Sequence, residues 1–160
     1  MLQITNNMLW VTEKYKKPAT FQIYMTTLEE HRKIVKELEE DINEKIRAGL
    51  LCSRQKIIGF ATSEAAANMF AFFLHKINLI SPGAHINHRH FASIQIALKQ
   101  YAFDFPKKKK ILNLLTKQEE LREKLCYGKD KEAKISEDAV ANFYKLKKCI
   151  LDELGEKYDK

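Results

Sequence analysis

Glycine and proline are scarce in this sequence, five and three among 160 residues, so neither a collagen-like repeat nor a flexible low-complexity chain can be built from it. Cysteine is scarce as well. Cys52, Cys126 and Cys149 are odd in number, far apart and without a CxxC spacing, which argues against a disulfide framework or a zinc knuckle and leaves reduced, largely core thiols. No GxxxxGK[ST] or GxGxxG occurs, so a glycine loop that cradles phosphates is excluded. HExxH is missing, as are the paired ExxH motifs of di-iron bundles. The longest apolar stretches read as interrupted by charge before they span a bilayer, and the first residues lack a basic start followed by an apolar block. The expectation is a cytoplasmic protein with no membrane segment.

What is present is 45% hydrophobic and 31% charged residues, the balance of one helix-rich globular domain. A formal charge of +7 and a pI near 9.2 favour contact with nucleic acid, nucleotide phosphate or an acidic partner, because each cation near a phosphate displaces condensed counterions. Lysine-rich solvated faces on ordinary helical proteins give the same numbers.

Residues 1–26 read as an N-terminal arm or short hairpin, with "MLWV" and "FQIYM" flanking "TEKYKKPAT". The helical domain then covers 27–160. Thr27 and Glu30 have the spacing of a capping box, and Leu28, Val35, Leu38, Ile42 and Ile46 continue as one apolar stripe that Gly49 ends. "SRQKIIGFATSEAAANMFAFFLHKINLI" has apolar residues on more than one face, which places it centrally, and Ala65, Ala66 and Ala67 allow a close neighbour. Pro82 and Gly83 break it, and a shorter helix is expected over 89–101. Pro106 suits the first turn of the next helix, with Ile111, Leu114, Leu115, Leu121 and Leu125 as its stripe. Ser136 reads as the N-cap of a last helix carrying Val140, Phe143, Leu146, Ile150 and Leu154, and Gly155 ends it. The fold class is all-α: an antiparallel, up-and-down bundle of four long helices plus a shorter one.

Three features carry candidate chemistry. His85, His88 and His90 lie within six residues, but Arg89 between two of them opposes a cation, so the cluster reads as a polar loop and no metal or other cofactor is assigned. His75 reads as a satisfied core or boundary histidine. The run Lys107 to Lys110 opens a helix, where cations oppose the macrodipole and a bound phosphate would relieve both charges. Finally, Arg122 and Tyr127 are five steps apart, about 140° of net rotation on an ideal helix, so they face one direction only if the helix loosens near Gly128.

The order "AANMFAFFLHKINLISPGAHINHRHF", a shorter helix, then "LTKQEELREKLCYGKDKEAKISEDAVANFYKLKKCILDEL" resembles the HEPN domain (higher eukaryotes and prokaryotes nucleotide-binding) in its small stand-alone prokaryotic form. The similarity follows helix order over about residues 27–155, best in the last fifty or so. The family's late helix carries Arg-x4-6-His or an LR-x4-Y counterpart, and here that segment is Leu121-Arg122-Glu123-Lys124-Leu125-Cys126-Tyr127. The resemblance implies a helical bundle, a homodimer, and a cleft in which the arginine stabilises phosphate charge while the histidine moves the proton of a ribose 2′-hydroxyl without metal. This sequence has the arginine and lacks the histidine, since none follows His90. A phenol, titrating at about 10 in water, is a poor base near neutrality, so the departure favours binding over cleavage.

The first reading is therefore a nucleotide- or RNA-binding protein using Arg122, Lys124, Tyr127, Arg89, Lys107 and Lys108. The resemblance adds a minimal nucleotidyltransferase as partner in a toxin-antitoxin-like system, with Tyr127 as acceptor by position. The alternatives are a metal-independent ribonuclease using Arg122, with Tyr127 as its other catalytic candidate, and a purely structural helical interaction protein in which Arg122 pairs with Glu119 or Glu123.

Overall fold

The computed structural model describes residues 26–84 and 86–156, and these are all-helical, with no strand among them. The expected N-terminal arm lies outside the described residues, as does His85. Five α-helices follow in order: α1 (Leu28–Arg47), α2 (Gln55–Lys76), α3 (Ile94–Gln100), α4 (Lys108–Cys126) and α5 (Ala133–Leu154), with a single 3-10 turn, His88–Phe91, before α3. α1 packs on α2, α2 packs also on α4 and α5, and α4 packs on α5. The core therefore centres on α2.

The start of α1 follows from two side chains. Thr27 Oγ1 accepts from the Glu30 N–H at 3.2 Å, and Glu30 Oε2 accepts from the Thr27 N–H at 2.6 Å, so two otherwise orphaned donors are satisfied. Its end is equally local. Gly49 takes φ +67, while Leu50 N–H donates to Lys45 C=O and Gly49 N–H to Ile46 C=O, the Schellman arrangement. The stripe differs from expectation at both ends: Ile46 is exposed, and His31 is buried at the position where the 28, 31, 35, 38, 42 spacing needs an inward residue.

α2 is apolar all round, and Ala65, Ala66, Ala67, Met69, Phe70, Phe72 and Phe73 are buried, whereas Phe60 is exposed. By length and composition it could cross a membrane, because Glu64 is the single charge between Lys56 and Lys76, and this corrects the expectation that charge interrupts every long apolar run. In the protein 83% of its most apolar window is buried by the neighbouring helices. Phe70 touches Phe91, Tyr101 and Phe105 edge-on or tilted, with ring centroids 5.0–5.8 Å apart. Such a cluster fastens the 3-10 turn and α3 to the middle of α2. At the other end Gly59 is the contact point with α4: a Cβ there would sit 2.7 Å from Leu125 Cβ and 3.1 Å from Cys126 Sγ. The small residue that permits this close approach is thus Gly59, in the second turn of α2.

Several boundaries move. α2 ends at Lys76, before Pro82, because Asn78 takes the left-handed conformation (φ +58) and Leu79 N–H reaches back to Leu74 C=O. The helix expected over 89–101 is two pieces, since Ser93 Oγ accepts from Ile96 N–H and restarts the helix, leaving Ile96 exposed. α4 begins at Lys108, so Pro106 precedes the first turn; Lys107 is the N-cap residue, left-handed at φ +54, with Nζ 3.0 Å from Glu153 Oε2 on α5. α5 starts three residues before Ser136, which is fully buried inside the helix and not a cap. Packing explains the shift: Ile135 and Ala139 pair with Leu121 and Leu125, so the apolar stripe begins one turn earlier than Val140.

Candidate functional site

The close α2 to α4 contact at Gly59 brings Ser63, one turn further along α2, against Glu119 on α4. Glu119 is 4% exposed, and such a carboxylate is tolerated inside only when its oxygens are paired. Three groups do this. Ser63 Oγ donates to Oε2 at 3.3 Å, Arg122 Nη1 donates to Oε1 at 3.1 Å, and His88 Nδ1 lies 2.9 Å from the same Oε1. Because a carboxylate only accepts, Nδ1 carries the hydrogen in that pair, and the ring nitrogen left for proton exchange is Nε2.

Arg122 extends the chain outward. Its Nη2 donates to Tyr127 Oη at 3.4 Å, and the guanidinium carbon lies 5.7 Å from the Tyr127 ring centroid. Burial opposes the Arg122 charge, but the Tyr127 hydrogen bond and the Glu119 carboxylate outweigh it, so the group is held above its ordinary range. Tyr127 itself is 61% exposed. Convergence of these two side chains requires the loosened helix end: Tyr127 is the C-cap in extended conformation, and Gly128 follows at φ +75. Cys126 lies between them, with burial pushing its thiol up against the opposing pull of Arg122. It is therefore a poor nucleophile.

The remaining candidates are placed elsewhere. Lys124 pairs with Glu120 Oε1 at 2.6 Å, two steps and about 200° around α4 from Arg122. Arg89 is exposed on the 3-10 turn, with its N–H bound by the Asn87 side chain. Lys107 is paired with Glu153, and Lys108 Nζ donates to the carbonyls of Ala102 (3.1 Å) and Phe103 (2.9 Å) in the connection between α3 and α4. Of the six, the structure brings together Arg122 and Tyr127.

The histidine loop divides. His88 turns to Glu119, whereas His90 Nδ1 is hydrogen-bonded with Tyr101 Oη at 2.9 Å. Among the described residues no group of three or more His, Cys, Asp or Glu is arranged for a metal ion. His75 is a boundary residue but not a satisfied one: its Nε2 is buried without a hydrogen-bond partner, and its ring stacks on His31 at 5.3 Å between centroids.

Sequence reasoning missed Glu119 and Ser63 as site residues and gave His88 no partner. A signal for Glu119 was present, since it stands four residues after Leu115 and three before Arg122, on the inward stripe of α4. None existed for Ser63, whose role depends on where α2 crosses α4. Comparison of the chain with protein-family models, curated proteins and solved structures finds no match.

Proposed function

We propose that this protein is a HEPN-like nucleotide- or RNA-binding module, built as an antiparallel, up-and-down bundle of four long helices and a shorter one. The observation that carries the reading is the pairing of Arg122 with Tyr127: a guanidinium braced from behind by Glu119 beside an exposed aromatic ring. An always-charged planar donor suits a phosphate, and an exposed ring suits a stacked base, so a phosphate and a base of one nucleotide meet both groups. The module works in the cytoplasm. Exposed Ile57 and Phe60 on α2 supply apolar area for the homodimer that the resemblance implies. A minimal nucleotidyltransferase partner rests on that resemblance alone.

Fluorescence anisotropy with labelled single-stranded RNA tests this reading. Wild type binds with strong salt dependence, and Arg122→Lys and Tyr127→Ala each weaken binding about tenfold, with melting unchanged in Tyr127→Ala. Equal affinity in all three proteins rejects it.

One observation favours a second reading, ribonuclease activity. His88 is held by Glu119 in the tautomer a general base needs, one carboxylate away from Arg122. In that reaction the ribose 2′-hydroxyl attacks phosphorus, its proton passes to His88 Nε2, and the bond to the 5′ oxygen breaks. A 2′,3′-cyclic phosphate remains, and the departing oxygen takes a proton from solvent. Cleavage in chelator that is lost in His88→Gln while RNA binding persists supports it; RNA left intact at high protein concentration rejects it.

A further inference from the structure

The lysine run at the start of α4 divides into two parts with different surroundings. Lys107 and Lys108 are tied into the fold by Glu153 and by the Ala102 and Phe103 carbonyls of the connection after α3. Lys109 and Lys110 are exposed, and among the described residues neither has a carboxylate partner. Together with Asn113, Leu114, Lys117 and Asn142 they line an open groove between α4 and α5 of about 550 Å³, a size that admits a single nucleotide unit.

Asn142 decides which unit. The residue is 8% exposed, and its amide hydrogens are both used, by Leu114 C=O and by Gln118 Oε1, each at 2.9 Å. A backbone carbonyl only accepts, which fixes the amide orientation and leaves Oδ1 as the group it can offer to the groove. The groove therefore presents ammonium donors, the exposed amide of Asn113 and the fixed acceptor of Asn142. Bare phosphate uses only the donors, whereas a sugar–phosphate unit also uses the fixed acceptor, phosphate oxygens accepting from lysine and a ribose hydroxyl donating to Asn142. Lys117 shares Glu120 with Lys124, so part of its charge is already compensated, and Lys109 and Lys110 carry most of the attraction.

We infer that this groove is a second binding site, for the sugar–phosphate backbone of RNA, separate from Arg122 and Tyr127. Separation follows from the helix: Lys117 and Arg122 are five steps apart on α4, about 140° around its axis, so the two sites face different sides. The inference stands on its own residues and survives or fails independently of the Arg122 site.

The experiment is the anisotropy titration of single-stranded RNA over a range of salt, using Lys109→Gln/Lys110→Gln. Loss of two phosphate contacts lowers the log–log salt slope by about 1.4 and the affinity at 0.1 M salt by about 25-fold. Lys33→Gln/Lys36→Gln removes the same charge from the outer face of α1 and leaves the slope within experimental error. Equal weakening by both double variants, or by neither, overturns the inference. Loss in the groove variant with none in Tyr127→Ala supports the groove and rejects the Arg122 site; the reverse pattern does the opposite. DNA of the same sequence binding as tightly as RNA overturns the ribose contact to Asn142.

Discussion

Replacing Glu119 by glutamine exchanges one oxygen for an amide nitrogen at a position where almost nothing is exposed, so volume and packing are kept while the charge is lost. The 3.1 Å approach of Arg122 Nη1 corresponds to about 5 kcal/mol of gross attraction at an effective dielectric of 20. Most of that is offset by the cost of keeping a carboxylate out of water, which glutamine does not incur. A net loss of about 1–3 kcal/mol follows, a fall of about 3–10 °C in Tm for a domain of this size. The assay is thermal melting followed by circular dichroism, with Glu120→Gln as the comparison. Glu120 receives Lys117 and Lys124 at 3.1 and 2.6 Å but is half exposed, so its substitution costs no more than about 0.5 kcal/mol. If Glu119→Gln melts together with Glu120→Gln, the buried carboxylate does not organise Arg122, and the reasoning fails.

Two further outcomes follow from the packing. Gly59→Ala drives a methyl group to within 2.7 Å of Leu125 Cβ, an atom rooted in α4 and unable to swing away, so urea unfolding shows a loss of about 1–3 kcal/mol with m unchanged. Burial, and then the neighbouring His31, lower the pKa of His75 below its ordinary value, so the unfolded chain binds the extra proton first. Stability from this group is full above pH ~6.5 and is lost as pH falls through that value towards the lower folded one. The urea midpoint therefore drops between pH 7 and pH 5, and His75→Gln flattens the drop; an unchanged slope in the variant contradicts it.

The parts of the fold written in local spacing were legible. Thr27 and Glu30 announce their helix, Gly49 and Gly155 end theirs with left-handed backbone, and the stripes of α4 and α5 are inward as the periodicity requires. Ser136 misled because serine is both a favoured cap and a small residue that a buried helix face accepts. Asn78 and Ser93 were stop and start signals hidden inside longer apolar patterns. At the candidate site, Arg122 and Tyr127 were singled out by the resemblance of LREKLCY to LR-x4-Y, whereas their spacing alone set them about 140° apart, and the helix end at Gly128 is what lets the two side chains meet. His88 and Ser63 did not stand out, because they reach Glu119 from 31 and 56 residues away, and only the packing of α2 against α4 and of the 3-10 turn against both brings them there.

Photocrosslinking shows whether RNA sits against Arg122 and Tyr127. Single-stranded RNA carrying 4-thiouridine is irradiated in complex with the wild-type protein, and the adducts are mapped by mass spectrometry after tryptic digestion. Arg122 and Tyr127 as the binding pair predict an adduct on the peptide from Leu125 to Lys129, which contains Tyr127. Adducts confined to other peptides contradict that site.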